Sequence, residues 1–346
     1  MQNKVTIIGS GTSALLTALS ISKLGLNVDI FSDASERQDS NLVTFLSSNS
    51  IFFLNEIGLN NIAQSESEPI HSIECYYENK KSHGKTALKF NDLQIKNFGK
   101  IIKNKYLYNS VLEQVKLDTK INIKKSKINS IQLDNGFVNI SIDNEKCFDP
   151  KLLIIPEKKN IIFSDFFNQY IIQKDFQQTA LSIEAKLSRV KNNTAYQFFT
   201  KDGPLAILPM KNDSSSLVWS LNNQSKLLQY SKDQLENEIL KYIMPFVRDF
   251  SIQSIDKYPL SFNFFKKMTY KNLIILGEAA HTIHPLAGQG LNLSIKDIGT
   301  LVKIFKKYLT IGYDVNDENI LKDFSNQRLS DNAIFSFSTL FMSDFF

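Results

Sequence analysis

The chain has 346 residues, long for one simple domain and sufficient for two that share a core. A hydrophobic fraction of 42% and a charged fraction of 22% are ordinary for a globular protein, and 40 Lys and Arg against 35 Asp and Glu leave a formal charge of +5, too small for a broad nucleic-acid face. No run of about 18 uncharged apolar residues exists, and the N-terminus lacks the apolar core and cleavage site of a secretory signal. The expectation is a cytoplasmic protein, with a peripheral seat on the inner membrane as its one route to a lipid surface.

In chain order, Val5 to Ile8 is a short β-rich run that Gly9 ends. From Ser13 to Leu24, Ala14, Leu15, Ala18, Leu19 and Ile21 mark a buried helix face, Gly25 breaks it, and Val28 to Phe31 returns to strand chemistry. This is a β-α-β unit at the start of the chain. A helix is expected near Leu46 to Leu54, mixed strands from 70 to 95, and a helix from Ile102 to Leu117. Strands are expected at Ile121 to Ile123, Ile128 to Leu133 and Val138 to Ile142, the last two joined by an Asp134-Asn135-Gly136 turn. Leu152 to Ile155 reads as a buried strand. Between 176 and 265 the pattern is mostly β, with turns at Asp202-Gly203-Pro204 and Asn212-Asp213 and a helix over Lys232 to Phe246. Leu273 to Leu276 is again a buried strand, followed by a long amphipathic helix from Gly290 to Leu309.

Gly9-Ser10-Gly11-Thr12-Ser13-Ala14 follows a strand and opens a helix. In this G-x-G-x-x-A spacing Gly9 permits the tight turn, Gly11 lets backbone approach a pyrophosphate, and Ala14 allows close helix–strand packing. The free amides of Thr12 and Ser13 at the helix start suit phosphate oxygens. The acid expected at the end of the second strand, about 18 residues after Ala14, is replaced by Ser32, with Asp33 one position later. Either can serve the ribose hydroxyls, and Asp33 reads equally as a solvated loop acid.

The second motif runs from Gly277-Glu278-Ala279-Ala280-His281 through His284-Pro285-Leu286-Ala287 to Gly288-Gln289-Gly290-Leu291-Asn292. A strand ends in a small-residue turn, a Pro loop follows, and Gly288-Gln289-Gly290 opens a helix whose amides can stabilise negative charge on a flat ring laid against backbone. His281 reads as a loop-ordering residue. The two cysteines, Cys75 and Cys147, read as reduced thiols, and with four histidines they form no metal signature, so no metal is expected.

This run resembles the flavoprotein aromatic hydroxylases, and within them the ubiquinone-biosynthesis hydroxylases. Phe176-Gln177-Gln178-Thr179-Ala180-Leu181, the segment Phe199 to Pro209 and Leu217-Val218-Trp219-Ser220 are similar to three further stretches of that group. The resemblance implies an α/β fold, a Rossmann-like FAD-binding domain with an inserted, mostly β substrate domain. It divides the chain into a discontinuous FAD-binding domain (1–70, 96–175 and 256–310), a substrate domain (71–95 and 176–255) and a C-terminal helical segment (311–346), beyond which family members continue for tens of residues. It implies an FAD-dependent monooxygenase that uses NADPH or NADH and O2, by way of a flavin C4a-hydroperoxide, to hydroxylate the ring of a hydrophobic polyprenylated phenol. Cofactor contacts fall on Gly9, Gly11, Thr12, Ser13, Ala14, Ser32, Asp33, Gly277, Glu278, Ala287, Gly288, Gly290, Leu291 and Asn292. Pro285, Gly288, Gln289 and Gly290 shape the reaction face through backbone, with no general base assigned. Phe198 and Trp219 are candidates for an apolar substrate wall, with plain sheet core the alternative. Implied partners are a membrane surface or a quinone-biosynthesis complex.

Three positions depart from the family pattern. Glu278 stands where Asp usually contacts the ribityl chain, Glu157 and Lys158 stand where an Asp-Gly pair is usual, and Leu42, beside Asn41, stands where an Arg is usual. They motivate two competing functions: a non-catalytic relative that supports a biosynthetic complex, and an FAD monooxygenase of another small aromatic.

Overall fold

The computed structural model describes residues 4–32, 42–60, 67–77, 86–90, 98–126, 128–134, 137–142, 146–148, 150–157, 165–189, 193–284 and 288–343. Asp33, Asn41, Lys158, Pro285, Leu286, Ala287 and the Asn135-Gly136 turn lie outside them. Six helices of nine residues or more occur among the described residues: α1 (Thr12–Ser22), α2 (Ser48–Glu56), α3 (Asn104–Leu117), α4 (Lys232–Ile243), α5 (Gly290–Thr310) and α6 (Glu318–Ser343).

A six-stranded sheet gathers distant pieces of chain in the order Thr269–Tyr270, Leu273–Ile275, Leu152–Ile155, Lys4–Ile8, Asn27–Ser32, Ile121–Lys125. Every pairing but the first is parallel. Its central strands are almost entirely apolar, with no accessible surface at Val5, Ile7, Leu152 to Ile155, Leu273 and Ile274, and the one polar residue inside the strand Lys4–Ile8, Thr6, is also buried. Such runs are what a parallel sheet covered on both sides demands. Helices α1, α3, α5 and α6 contribute to the same apolar core through Leu16, Val111, Ile298 and Phe324.

An eight-stranded sheet lies against this unit. Its two longest members, the neighbouring Ile171–Arg189 and Val247–Phe265, are antiparallel strands of 19 residues each. The domain boundaries expected at 175/176 and 255/256 fall inside these strands, so the two units share continuous backbone. The strand Ile171–Arg189 bends at a register shift between Asp175 and Gln178, where Gln177 adopts φ 54°. One face of this sheet packs on α4 through Leu235, Ile239 and Ile243. Each of these side chains contributes roughly 1.5–3 kcal/mol on burial. The helix starts on a capping box between Ser231 and Gln234, as a Ser-x-x-Gln spacing provides. The helix expected over Lys232 to Phe246 ends at Ile243, because Pro245 lies in a following 3-10 turn. The helix expected from Ile102 begins at Asn104, since Gly99–Lys103 pairs with Val43–Ser47 and Ser67–Ile70 in a small sheet.

Candidate active site

The two backbone cradles meet. Thr12 and Ser13 at the start of α1, and Gly288 to Leu291 at the start of α5, line one cavity of about 430 Å³. Thr44, Asn104, Glu157, Glu278 and His281 complete its walls on the parallel-sheet side. The opposite wall is the free face of the eight-stranded sheet, formed by Ala180, Ser182, Ala206, Leu208, Val218, Tyr258 and Leu260.

At the first cradle, Gly11 N–H donates to Glu157 Oε2 at 2.9 Å and Ala14 N–H donates to Glu157 Oε1 at 3.2 Å. The helix has no side-chain cap of its own, and Glu157, from 143 residues away, supplies one. Gly9 adopts φ +136°, and a Cβ there would lie 3.0 Å from Glu157 Oε2 and 3.1 Å from Ala14 Cβ. The loop thus has room for neither a side chain at Gly9 nor a bulkier residue at Ala14. Glu157, unreadable from the chain as a loop partner, is the residue that orders the loop.

At the second cradle, Gln289 makes no capping hydrogen bond to α5, and no acid stands in the first turn. The helix start therefore keeps its partial positive charge toward the cavity. A Cβ on Gly290 would meet open space, whereas Gly288 has φ +63° and a Cβ there would lie 3.4 Å from the Phe45 amide nitrogen. A flat ring can approach backbone here. Glu157 takes the Gly11 and Ala14 amides, so the α1 start offers those of Thr12 and Ser13, and with the α5 start and the polar Thr44, Asn104 and Glu278 the cavity has donor chemistry suited to a dinucleotide with a flat ring.

A buried charge network fixes this second cradle. Asp297 is fully buried and accepts from Gly277 N–H at 2.9 Å, Arg328 Nε at 2.7 Å and Asn332 Nδ2 at 3.0 Å, while its Oδ2 lies 2.7 Å from His281 Nε2. Burial alone pushes the Asp297 carboxyl up, but His281, Arg328 and Asn332 outweigh it and hold the group at about 2. His281 orders the loop from inside, as its segment suggests. His284 is 1% exposed, its Nε2 lies 2.8 Å from Gln178 Oε1, and its ring meets the Phe176 ring edge-on at 5.0 Å. Burial lowers it to about 4. His284 thereby fastens the flavin-side loop to the bulge in the strand Ile171–Arg189.

Other expected site residues stand elsewhere. Trp219 is fully buried and Phe198 is 5% exposed, both in the core against α4; Trp219 Nε1 donates to the Gly203 carbonyl at 3.3 Å. They do not line this cavity. Side chains alternate along a strand, and it is Val218, not Trp219, that faces the cavity. Asn292 is occupied within the protein: its Oδ1 accepts from Ser47 N–H at 2.9 Å and Ser50 Oγ at 2.7 Å, and its Nδ2 donates to the Phe45 carbonyl at 2.6 Å. It positions α5 on α2 rather than lining the cavity. Ser32 ends its strand half-buried, outside the cavity wall, and Leu42 lines the cavity where the family's Arg is usual. Asp33, Pro285 and Ala287 lie outside the described residues. Thr44 and Asn104, bonded Oγ1 to Oδ1 at 2.5 Å, are cavity residues that sequence reasoning missed, since neither sits in a recognisable motif.

The FAD binding domain family matches residues 170–329. The chain is 23% identical over 341 residues to the 3-demethoxyubiquinol 3-hydroxylase of Escherichia coli, covering 96% of this chain and 86% of that protein. It is 24% identical over 302 residues to the mitochondrial ubiquinone biosynthesis monooxygenase COQ6 of Dictyostelium discoideum, covering 70% of this chain and 61% of that protein. Among solved structures, Pseudomonas aeruginosa PqsL in complex with 2-aminobenzoylacetate superposes with a TM-score of 0.79 at 17% identity, over 98% of this chain and 95% of that one. Klebsiella pneumoniae HpxO complexed with FAD and uric acid superposes with a TM-score of 0.75 at 13% identity, over 97% and 86%. The solved structures establish the fold, and the sequence matches are to the FAD binding domain family and to monooxygenases of ubiquinone biosynthesis, so the chain is similar to FAD-dependent monooxygenases of that kind.

Proposed function

We propose that this chain hydroxylates the aromatic ring of a polyprenylated phenol in ubiquinone biosynthesis, with FAD as cofactor and NAD(P)H and O2 as co-substrates. The observation that carries the reading is the meeting of both helix N-termini around one cavity whose far wall is apolar sheet. FAD held there supplies the activation of O2 once NAD(P)H has reduced it. The chain's own residues do the rest. The amides of Thr12 and Ser13 hold phosphate, Glu157 keeps their loop in shape, and the start of α5 stabilises negative charge at the ring edge. The Asp297 network keeps that edge rigid. Ala180, Ala206, Leu208, Val218 and Leu260 exclude water from the reacting ring. The likeness to ubiquinone hydroxylases supports the substrate class.

A peripheral membrane contact belongs to the same reading. No helix among the described residues is long and apolar enough to cross a membrane, but Phe52, Ile334 and Phe341 are 65%, 70% and 65% exposed. Such side chains suit a lipid surface that also presents the prenylated substrate.

The test is direct. Purified protein is expected to be yellow, to oxidise NAD(P)H with O2 faster when a polyprenylphenol is present, and to release a product heavier by one oxygen. Deletion of the gene is expected to accumulate the unhydroxylated ring. The competing reading, a non-catalytic relative, draws on one observation: the charged side chains of the described cavity wall are Glu157 and Glu278, both unfriendly to phosphate. Colourless protein that takes up no FAD would select it.

A further inference from the structure

On the sheet wall of the cavity, five of the seven lining side chains are apolar: Ala180, Ala206, Leu208, Val218 and Leu260. The two that carry a hydroxyl are Ser182 and Tyr258. Ala180 pairs with Tyr258, and Ser182 pairs with Asp256, across the antiparallel strands. Ser182 and Tyr258 are therefore diagonal neighbours on one face, roughly 7–8 Å apart along the backbone. Elsewhere in the cavity, three hydroxyls are already engaged within the protein: Thr44 donates to Asn104 Oδ1, Ser294 to the Gly290 carbonyl and Thr282 to the Glu278 carbonyl, while Thr12 and Ser13 lie across the cavity at the start of α1. Ser182 and Tyr258 form no side-chain hydrogen bond with another described residue. Ser182 is 5% exposed, so little bulk water competes for it, and Tyr258 is half-buried.

We propose that Ser182 and Tyr258 form the hydrogen-bonding station for the substrate's ring hydroxyl, and that Tyr258 selects free phenols over their ethers. The inference rests on the hydroxylase reading above. A phenol placed against this wall finds acceptors for its O–H in these two oxygens, since the other five sheet side chains that line the cavity offer only carbon. Burial first, and the neighbouring Asp256 charge second, push the Tyr258 phenol above its ordinary value, so Tyr258 stays protonated and both donates and accepts as a neutral group. A site built this way favours the free phenol, because an ether can still accept from the Tyr258 O–H but cannot donate to either protein oxygen. No proton need leave the substrate for this selection, so Tyr258 is assigned recognition and not base catalysis.

The experiment uses FAD-loaded protein, with 2-prenylphenol and its O-methyl ether as probes. Binding is measured by calorimetry, and kcat and KM are measured for the phenol. Wild-type protein is expected to bind the phenol about tenfold or more tightly than the ether. Tyr258→Phe is expected to narrow that preference by weakening phenol binding more than ether binding, with the loss appearing in KM more than in kcat. Ser182→Ala is expected to produce a smaller loss in the same direction. Unchanged phenol affinity in both variants, or an equal loss for phenol and ether in Tyr258→Phe, overturns the inference and leaves the hydroxylase reading standing. FAD-loaded wild-type protein that binds neither probe overturns the prenylphenol reading, and this inference with it.

Discussion

Asp297→Asn tests the charge network beneath the flavin-side cradle. The substitution keeps the shape and one oxygen but removes the negative charge that faces Arg328, which is 1% exposed, across 2.7 Å. Asp331 also accepts from Arg328, but its side chain is 44% exposed and already paired with Lys296, so it compensates weakly. Removing one partner of a buried pair costs about 3–5 kcal/mol, because the other charge is left buried. In a chain of this size that corresponds to a fall in Tm of roughly 4–7 °C. Gly277 and His281 lose a charged acceptor at the same time, so FAD affinity is expected to fall with stability. Thermal unfolding by circular dichroism and FAD titration measure the two effects. Adding Arg328→Leu to Asp297→Asn is expected to recover part of the stability, since an uncharged, filled site replaces a lone buried charge. A single variant that melts within 2 °C of wild type, or a double variant that loses the sum of both single losses, would refute the reasoning. Acid gives a second handle. Because the folded carboxyl sits at about 2 against an ordinary 3.8, its stabilisation of about 2 kcal/mol is present above pH 3.8 and is lost as pH falls through about 2.

Three further outcomes are expected. His284 titrates at about 4 in the folded chain against an ordinary 6.5, so stability is lost as pH falls from 6.5 toward 4, by about 3 kcal/mol in all; His284→Asn, compared with wild type in urea melts at pH 7 and pH 4.5, should show a shallower acid loss. Trp219→Phe removes a buried hydrogen bond and core volume behind the sheet, costing about 1–3 kcal/mol by chemical denaturation, while kcat/KM of the remaining folded enzyme stays at the wild-type value. Gly288→Ala forces an L side chain into φ +63° against the Phe45 amide, so a stability loss of about 1–2 kcal/mol and weaker FAD retention on gel filtration are expected; unchanged retention would remove Gly288 from the cradle.

Sequence alone determined the local devices. The strand-glycine-helix start at Gly9 to Ala14 and the helix opening at Gly288 to Gly290 are fixed by steric demands that only small residues meet, so both were legible as backbone cradles before any fold was known. The buried parallel strands were legible too, because Leu152 to Ile155 and Leu273 to Ile275 are apolar without alternation. Tertiary structure decided what lies between those cradles. Alternation shows that Val218 and Trp219 face opposite sides, but only the docking of α4 determines which side is core, and it claimed Trp219 and Phe198. Glu157 looked like a lost motif because its partners, Gly11 and Ala14, lie more than 140 residues away in sequence. Asp297 and Arg328 likewise carry no local signal, since a buried ion pair is written in no spacing and exists only once α5 and α6 have packed together.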